Sequence, residues 1–152
     1  MNVVDATGID KASIAEIEKQ LRYISAMIKE TGRQMLIDYD INPLQFIALQ
    51  WISDEDGMTI GELSQRMYLA FSTTTDLVDR MEDKELVERN KDQDDKRVVR
   101  IHLLPKGYET ITSVITKRQE YLADHIHVLA KEERMGFEAG LDRLFKEIKK
   151  DL

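Results

Sequence analysis

Apolar residues recur at helical intervals at both ends of this chain and in shorter, denser patterns between them. Ile14, Ile17, Leu21, Ile24 and Ile28 are spaced alternately by three and four. That spacing is one face of an amphipathic helix, predicted over about residues 10–38. Asn42-Pro43-Leu44-Gln45 is a helix start: Asn42 can cap, Pro43 suits the first helical position, and Gln45 can reach back. Ile41 and Phe46 occupy the two staple positions, and the helix is expected to stop in Asp54-Glu55-Asp56-Gly57. Thr59 with Glu62, and Met58 with Leu63, repeat those signals for a short helix ending near Met67. Ser72 is the expected cap of the next helix, which reaches about Lys84. Its inward face is Thr74, Leu77, Val78 and Met81; Ser72, Thr73, Asp76, Asp79, Arg80 and Asp83 face outward.

The pattern then changes period. Leu86-Val87-Glu88-Arg89 is strand-like, and from Val98 to Leu103 apolar and polar residues alternate. The polar loop from Asn90 to Lys96 joins them as a hairpin. Pro105 opens a long helix with a stripe of Ile111, Ile115, Leu122, Ile126 and Leu129. Phe137, Leu141, Leu144, Phe145, Ile148 and Leu152 mark a last helix. The fold class expected is mainly α with a small β-hairpin wing: a winged helix-turn-helix flanked by long N- and C-terminal helices. The terminal stripes exceed what a small domain needs, so a homodimer through these helices is the economical reading. The expected division is a dimerisation helix at 1–40, a DNA-binding lobe at 41–104 and C-terminal dimerisation helices at 105–152. Within the lobe, the helix-turn-helix is expected at 59–84 and the wing at 86–103.

Charge complicates this picture and then refines it. The net charge is −7, whereas neutralising phosphate needs Lys and Arg. Net charge averages over a surface, however, and a local patch suffices. Between residues 86 and 106, six basic side chains face four acidic ones, a net +2 in an acidic chain. The hairpin is a positive island. The absence of cysteine excludes disulfides, thiolate metal sites and thiol-based redox sensing. The N-terminal residues lack the basic and apolar regions of a secretory signal. No apolar run approaches the roughly 20 residues of a membrane span. A cytoplasmic protein without membrane contact is expected.

Several side chains suit duplex DNA. Short polar groups near a helix N-terminus read bases or bind phosphate, which fits Ser72, Thr73 and Thr74. The same run is also what a plain helix cap looks like. Arg80, two turns on, suits phosphate or guanine, or an ion pair with Asp76 or Asp83. At the hairpin tip stand Asp95, Lys96 and Arg97. A guanidinium can enter a narrow minor groove, with Asp95 holding it by a charge-assisted hydrogen bond. The alternative is a polar turn with a weak surface ion pair.

Taken in order, the segments resemble the MarR family of bacterial winged-helix transcription regulators. The residues that carry the resemblance are Leu63-Ser64-Gln65-Arg66-Met67, then Ser72-Thr73-Thr74-Thr75 with Leu77-Val78-Asp79-Arg80-Met81. Leu86-Val87-Glu88-Arg89, the Asp95-Lys96-Arg97 wing and Leu103-Leu104-Pro105-Lys106-Gly107 complete it. The resemblance implies an obligate homodimer. It places Ser72, Thr73 and Thr74 at bases or phosphates, and Arg97 in the minor groove supported by Asp95. It also implies a repressor on a pseudo-palindromic operator, relieved by a small, often aromatic or anionic effector. Met35, Tyr39, Phe46 and Trp51 are the candidate effector pocket, or else ordinary core between the first two helices.

This chain departs from the family pattern in places. Asp76 stands where a basic or amide residue is common, and suits a cytosine amino group or excludes other bases. Glu85 replaces the usual glycine after the recognition helix, and Leu104 the usual Ser or Thr cap. Gln93 stands at a common proline position. His125 and His127 lie two apart, not the four that a helical metal pair uses, so no metal and no cofactor are expected. No phosphate-loop, zinc-protease or nucleophile-elbow motif is present, and an enzyme reading has no anchor. Two rival readings stay open. One is a winged helix for protein contact, suggested by Asp76, Asp79 and Asp83; the other is a small-molecule-binding helical protein without DNA function.

Overall fold

Side-chain caps at Asp10, Asn42 and Thr59 mark three of the helix starts in the computed structural model, which describes residues 8–151. Leu152, the last residue of the predicted final stripe, lies outside the described residues, as do the first seven residues of the predicted N-terminal segment. The order is α1 (Lys11–Thr31), α2 (Arg33–Asp38), α3 (Pro43–Asp54), α4 (Ile60–Met67), α5 (Phe71–Asp83), β1 (Val87–Lys91), β2 (Val99–Leu103), α6 (Pro105–Ile126) and α7 (Lys131–Lys149). Both expected capping boxes form. Asn42 accepts from Gln45 N at 2.8 Å while Gln45 reaches back to Asn42 N at 3.0 Å. Thr59 and Glu62 exchange the same pair of bonds at 3.2 and 2.8 Å.

Two expectations are corrected here. The single helix predicted over 10–38 is broken at Gly32 into α1 and α2. A Cβ at Gly32 would lie 2.9 Å from Val114 Cγ1 and 3.0 Å from Arg118 Nε, so only glycine lets α6 approach this closely. The redirected α2 carries Leu36 into the core. The second correction concerns Ser72, which does not cap α5. Ala70 is the N-cap, without a side-chain bond, and α5 begins at Phe71. Tyr68 closes α4 in the left-handed region at φ 54°, and Leu69 turns back to bond Ser64 O and pack on the core. That tight turn starts the next helix early and leaves Ser72 inside its first turn.

The hairpin pairs Val87 with Leu103 and Lys91 with Val99, antiparallel. A third backbone segment joins it: Ile101 N bonds Met58 O at 2.8 Å, and Gly57 N bonds Ile101 O at 3.2 Å. This pairing anchors β2 to the loop between α3 and α4. The core beneath the helix-turn-helix holds Phe46, Leu49, Ile52, Leu63, Val78, Met81, Leu86 and Ile101. Gly107 lies where α6 crosses the start of β1; a Cβ there would stand 2.3 Å from Leu86 O. Neither α1 nor α7 contains a buried residue. Ile17, Leu21 and Ile24 of α1 and Phe137 and Leu141 of α7 stay substantially exposed. With Leu122 they line an apolar groove of about 270 Å³.

Candidate nucleic-acid interface

The outer face of α5 and the tip of the hairpin form one continuous surface. Ser72, Thr73, Asp76, Arg80 and Asp83 are exposed along α5. Thr74 is not part of this face: it is fully buried and donates its hydroxyl to Ala70 O at 3.0 Å. Its place at bases or phosphates is therefore corrected to a core role. The hydroxyl is consumed by the preceding turn because position 74 shares the inward stripe with Leu77, Val78 and Met81. Arg80 has no ion pair with Asp76 or Asp83, so its guanidinium is available on the surface.

At the wing, Arg97 projects with 90% of its side chain exposed. Asp95 holds it in a two-point grip, Nε to Oδ1 at 3.0 Å and Nη2 to Oδ2 at 3.1 Å, and also accepts Arg97 N at 3.1 Å. The Arg97 side chain, then the Arg97 backbone N–H, hold the Asp95 carboxyl below its ordinary pKa. Asp95 is itself positioned. Its backbone N–H donates to Asp92 Oδ2 at 3.0 Å, and that of Asp94 does so at 3.1 Å. Asp92 Oδ1 accepts Arg100 Nε at 2.7 Å, which pulls the Asp92 pKa down as well. Arg100 then reaches Gly57 O at 2.9 Å. The wing tip is thus tied through Asp92 and Arg100 to the loop after α3. Lys96 is exposed beside Arg97.

Arg89 is a site residue that the sequence pattern did not single out. From β1 it bonds Glu82 Oε2 at 2.6 Å, Asp79 Oδ1 at 2.5 Å and Thr75 O at 3.4 Å. It clamps the wing strand to α5 and pairs with two of its acids. Asp79 therefore does not belong to a free acidic face, which removes part of the support for the protein-contact rival. The basic island was the available signal, but not its partners.

The four residues expected to share an effector pocket do not do so. Phe46 faces a cavity of about 440 Å³ lined also by Lys29, Arg33, Leu36, Ile47 and Arg118. Met35, Tyr39 and Trp51 instead pack against the core. Tyr39 is pinned by a 2.9 Å hydrogen bond to Ser113 Oγ, and Trp51 faces Arg66, whose guanidinium lies 6.0 Å from the ring centroid. The cavity's distinctive group is Arg118, which lies 4.8 Å over the Phe46 ring with Nε buried and unbonded. Burial lowers the Arg118 pKa from its ordinary value.

Three comparisons bear on this geometry. A family model described as "MarR family" matches residues 41–99. Among curated proteins, the chain is 57% identical over 137 residues to the Bacillus subtilis (strain 168) protein described as "Uncharacterized HTH-type transcriptional regulator YsmB". That match covers 90% of this chain and 94% of the relative. Among solved structures, "a MarR family protein from Bacillus stearothermophilus" is 50% identical, with a TM-score of 0.82, over 93% of this chain and 99% of that one. A Staphylococcus aureus MepR–DNA complex shares the fold at 23% identity, with a TM-score of 0.64, over 86% of this chain and 98% of that one.

Proposed function

This chain belongs to the MarR family of helix-turn-helix transcription regulators, and on that premise we propose that it works as a homodimeric repressor on a pseudo-palindromic operator. The observation that carries the reading is Arg97, almost fully exposed at the hairpin tip and held in one orientation by Asp95. A fixed, projecting guanidinium suits the negative potential of a narrow minor groove. The outer face of α5 then enters the adjacent major groove, with Ser72, Thr73, Asp76 and Arg80 toward bases and phosphates. Lys96 adds a phosphate contact. MepR, which shares this fold, has been solved as a DNA complex, which supports the reading of this chain as a DNA binder.

The dimer is formed by the apolar faces of α1, α6 and α7. Exposed Ile17, Leu21, Ile24, Phe137 and Leu141 are the surface that a second copy covers. The 1–40 and 105–152 segments are therefore dimerisation arms, and 41–104 is the DNA-binding lobe. A bound dimer overlapping a promoter excludes polymerase, which makes repression the direct consequence. The cavity at Phe46 and Arg118 suits a small aromatic or carboxylate effector: it offers a ring and a desolvated guanidinium lacking an acceptor for Nε. It lies between α1, α3 and α6, so occupancy shifts the lobe against the arms. Among the described residues, no helix is long and apolar enough to cross a membrane, in keeping with a cytoplasmic regulator.

Hydroxyl-radical footprinting on the duplex upstream of its own gene tests this reading. Two protected patches related by a dyad, about 10 base pairs apart or a multiple of that, are expected. A uniform cleavage ladder at saturating protein would overturn it and favour the protein-contact reading.

A further inference from the structure

Phe71 is the first residue of α5, and it is 62% exposed. A large apolar ring at the leading turn of a DNA-reading helix serves neither the core nor the cap. Ala70 is the N-cap, and the hydroxyls of Thr74 and Thr75 bond back to Ala70 O and Phe71 O. Helical side chains lean toward the N-terminus, so the ring overhangs the leading edge. Helical spacing puts Phe71, Thr75 and Asp79 on the side of α5 turned to the wing. Phe71 shares an open groove of about 690 Å³ with Ile60, Thr75, Arg97, Val98 and Val99.

With α5 in the major groove and Arg97 in the minor groove, the DNA strand between them passes over this groove. The C5 methyl of thymine is the apolar group on the major-groove base edges, and it lines the groove wall beside its own backbone. We propose that Phe71 is a specificity-determining residue that packs on a thymine methyl in the wing-proximal part of each half-site. This inference rests on the DNA-binding reading above. It gives the site an apolar base preference that its hydroxyls and acids do not supply.

The test begins with selection of the operator from a randomised duplex library, using the full-length wild-type protein. Each thymine is then replaced, symmetrically in both half-sites, by deoxyuridine, which removes only the methyl. At one thymine position, wild-type affinity is expected to fall about tenfold, the effect of two lost methyl contacts. In Phe71→Ala the same replacement changes affinity less than about twofold, because the transferred methyl no longer meets a ring. Phe71→Asn carries the same expectation, so a folding defect in one variant leaves the other. Wild-type indifference to every deoxyuridine, or an undiminished penalty in the folded variants, overturns the role of Phe71 while leaving DNA binding intact. Failure to enrich any sequence overturns the DNA-binding reading itself, and the Phe71 contact with it.

Discussion

Arg97 is held by a carboxylate that is itself held by another. Asp95 grips the guanidinium, and Asp92 grips the backbone of Asp94 and Asp95 while pairing with Arg100. Both carboxyls have folded-state pKa values below their ordinary ones. Groups depressed in this way contribute order above the unfolded value, near about 3.9, and lose it as pH falls through the lower folded value. NMR titration should therefore show the Asp94 and Asp95 amide shifts constant from neutral pH to about 4, then moving together below it. Movement of those amides well above that pH would contradict the Asp92 anchor. Asp95 and Arg97 were legible as a pair because two residues of one turn must lie close. Asp92 with Arg100, and Arg89 with Glu82 and Asp79, were not, because their meeting depends on hairpin register and on how β1 packs against α5. Thr74 had two places in the sequence: helical spacing set it on the inward stripe, where it is buried, while the run of hydroxyls around it suggested DNA.

At the scale of elements, local chemistry explains the starts, and tertiary contacts explain the exceptions. The capping boxes at Asn42 and Thr59 are complete within four residues, so they could be read directly. The break at Gly32 could not, since nothing local announces that Val114 and Arg118 of α6 pack closely on that glycine. Glu85 takes the left-handed position after α5 at φ 58°, with its N–H on Glu82 O and Leu86 N–H on Met81 O. The helix therefore ends as a glycine-capped one would, at a steric cost. Glu85→Gly should raise unfolding free energy by about 0.5–1 kcal/mol in urea denaturation, since the relief of about 1–2 kcal/mol is partly offset by backbone entropy. A destabilised variant would contradict the strain. Gly107 is the opposite case, because the Leu86 carbonyl occupies the space of any side chain. Gly107→Ala should lower stability by about 1–3 kcal/mol in the same assay; an unchanged midpoint would show that α6 can slide away freely.

Across the whole molecule, acidity and DNA binding coexist because the charges are sorted. Two acids of the recognition helix are spent on Arg89, while Arg97, Lys96 and Arg80 remain on the surface. The apolar stripes of the terminal helices were legible as surplus, and the folded chain leaves them uncovered. Leu21→Asp puts a charge into the α1 stripe. Sedimentation should then show a dimeric wild type and a monomeric variant, and a variant dimer like the wild type's would exclude α1 from the seam. We place the fixed wing arginine, Arg97, in the minor groove. Equilibrium binding of wild type and Arg97→Ala to the selected operator, across about 50 to 200 mM salt, tests it most directly. Loss of one cation from each wing should weaken binding about tenfold or more and reduce the salt slope by about two, with the dimer unchanged. Equal affinity and equal slope in a folded, dimeric Arg97→Ala protein would contradict it.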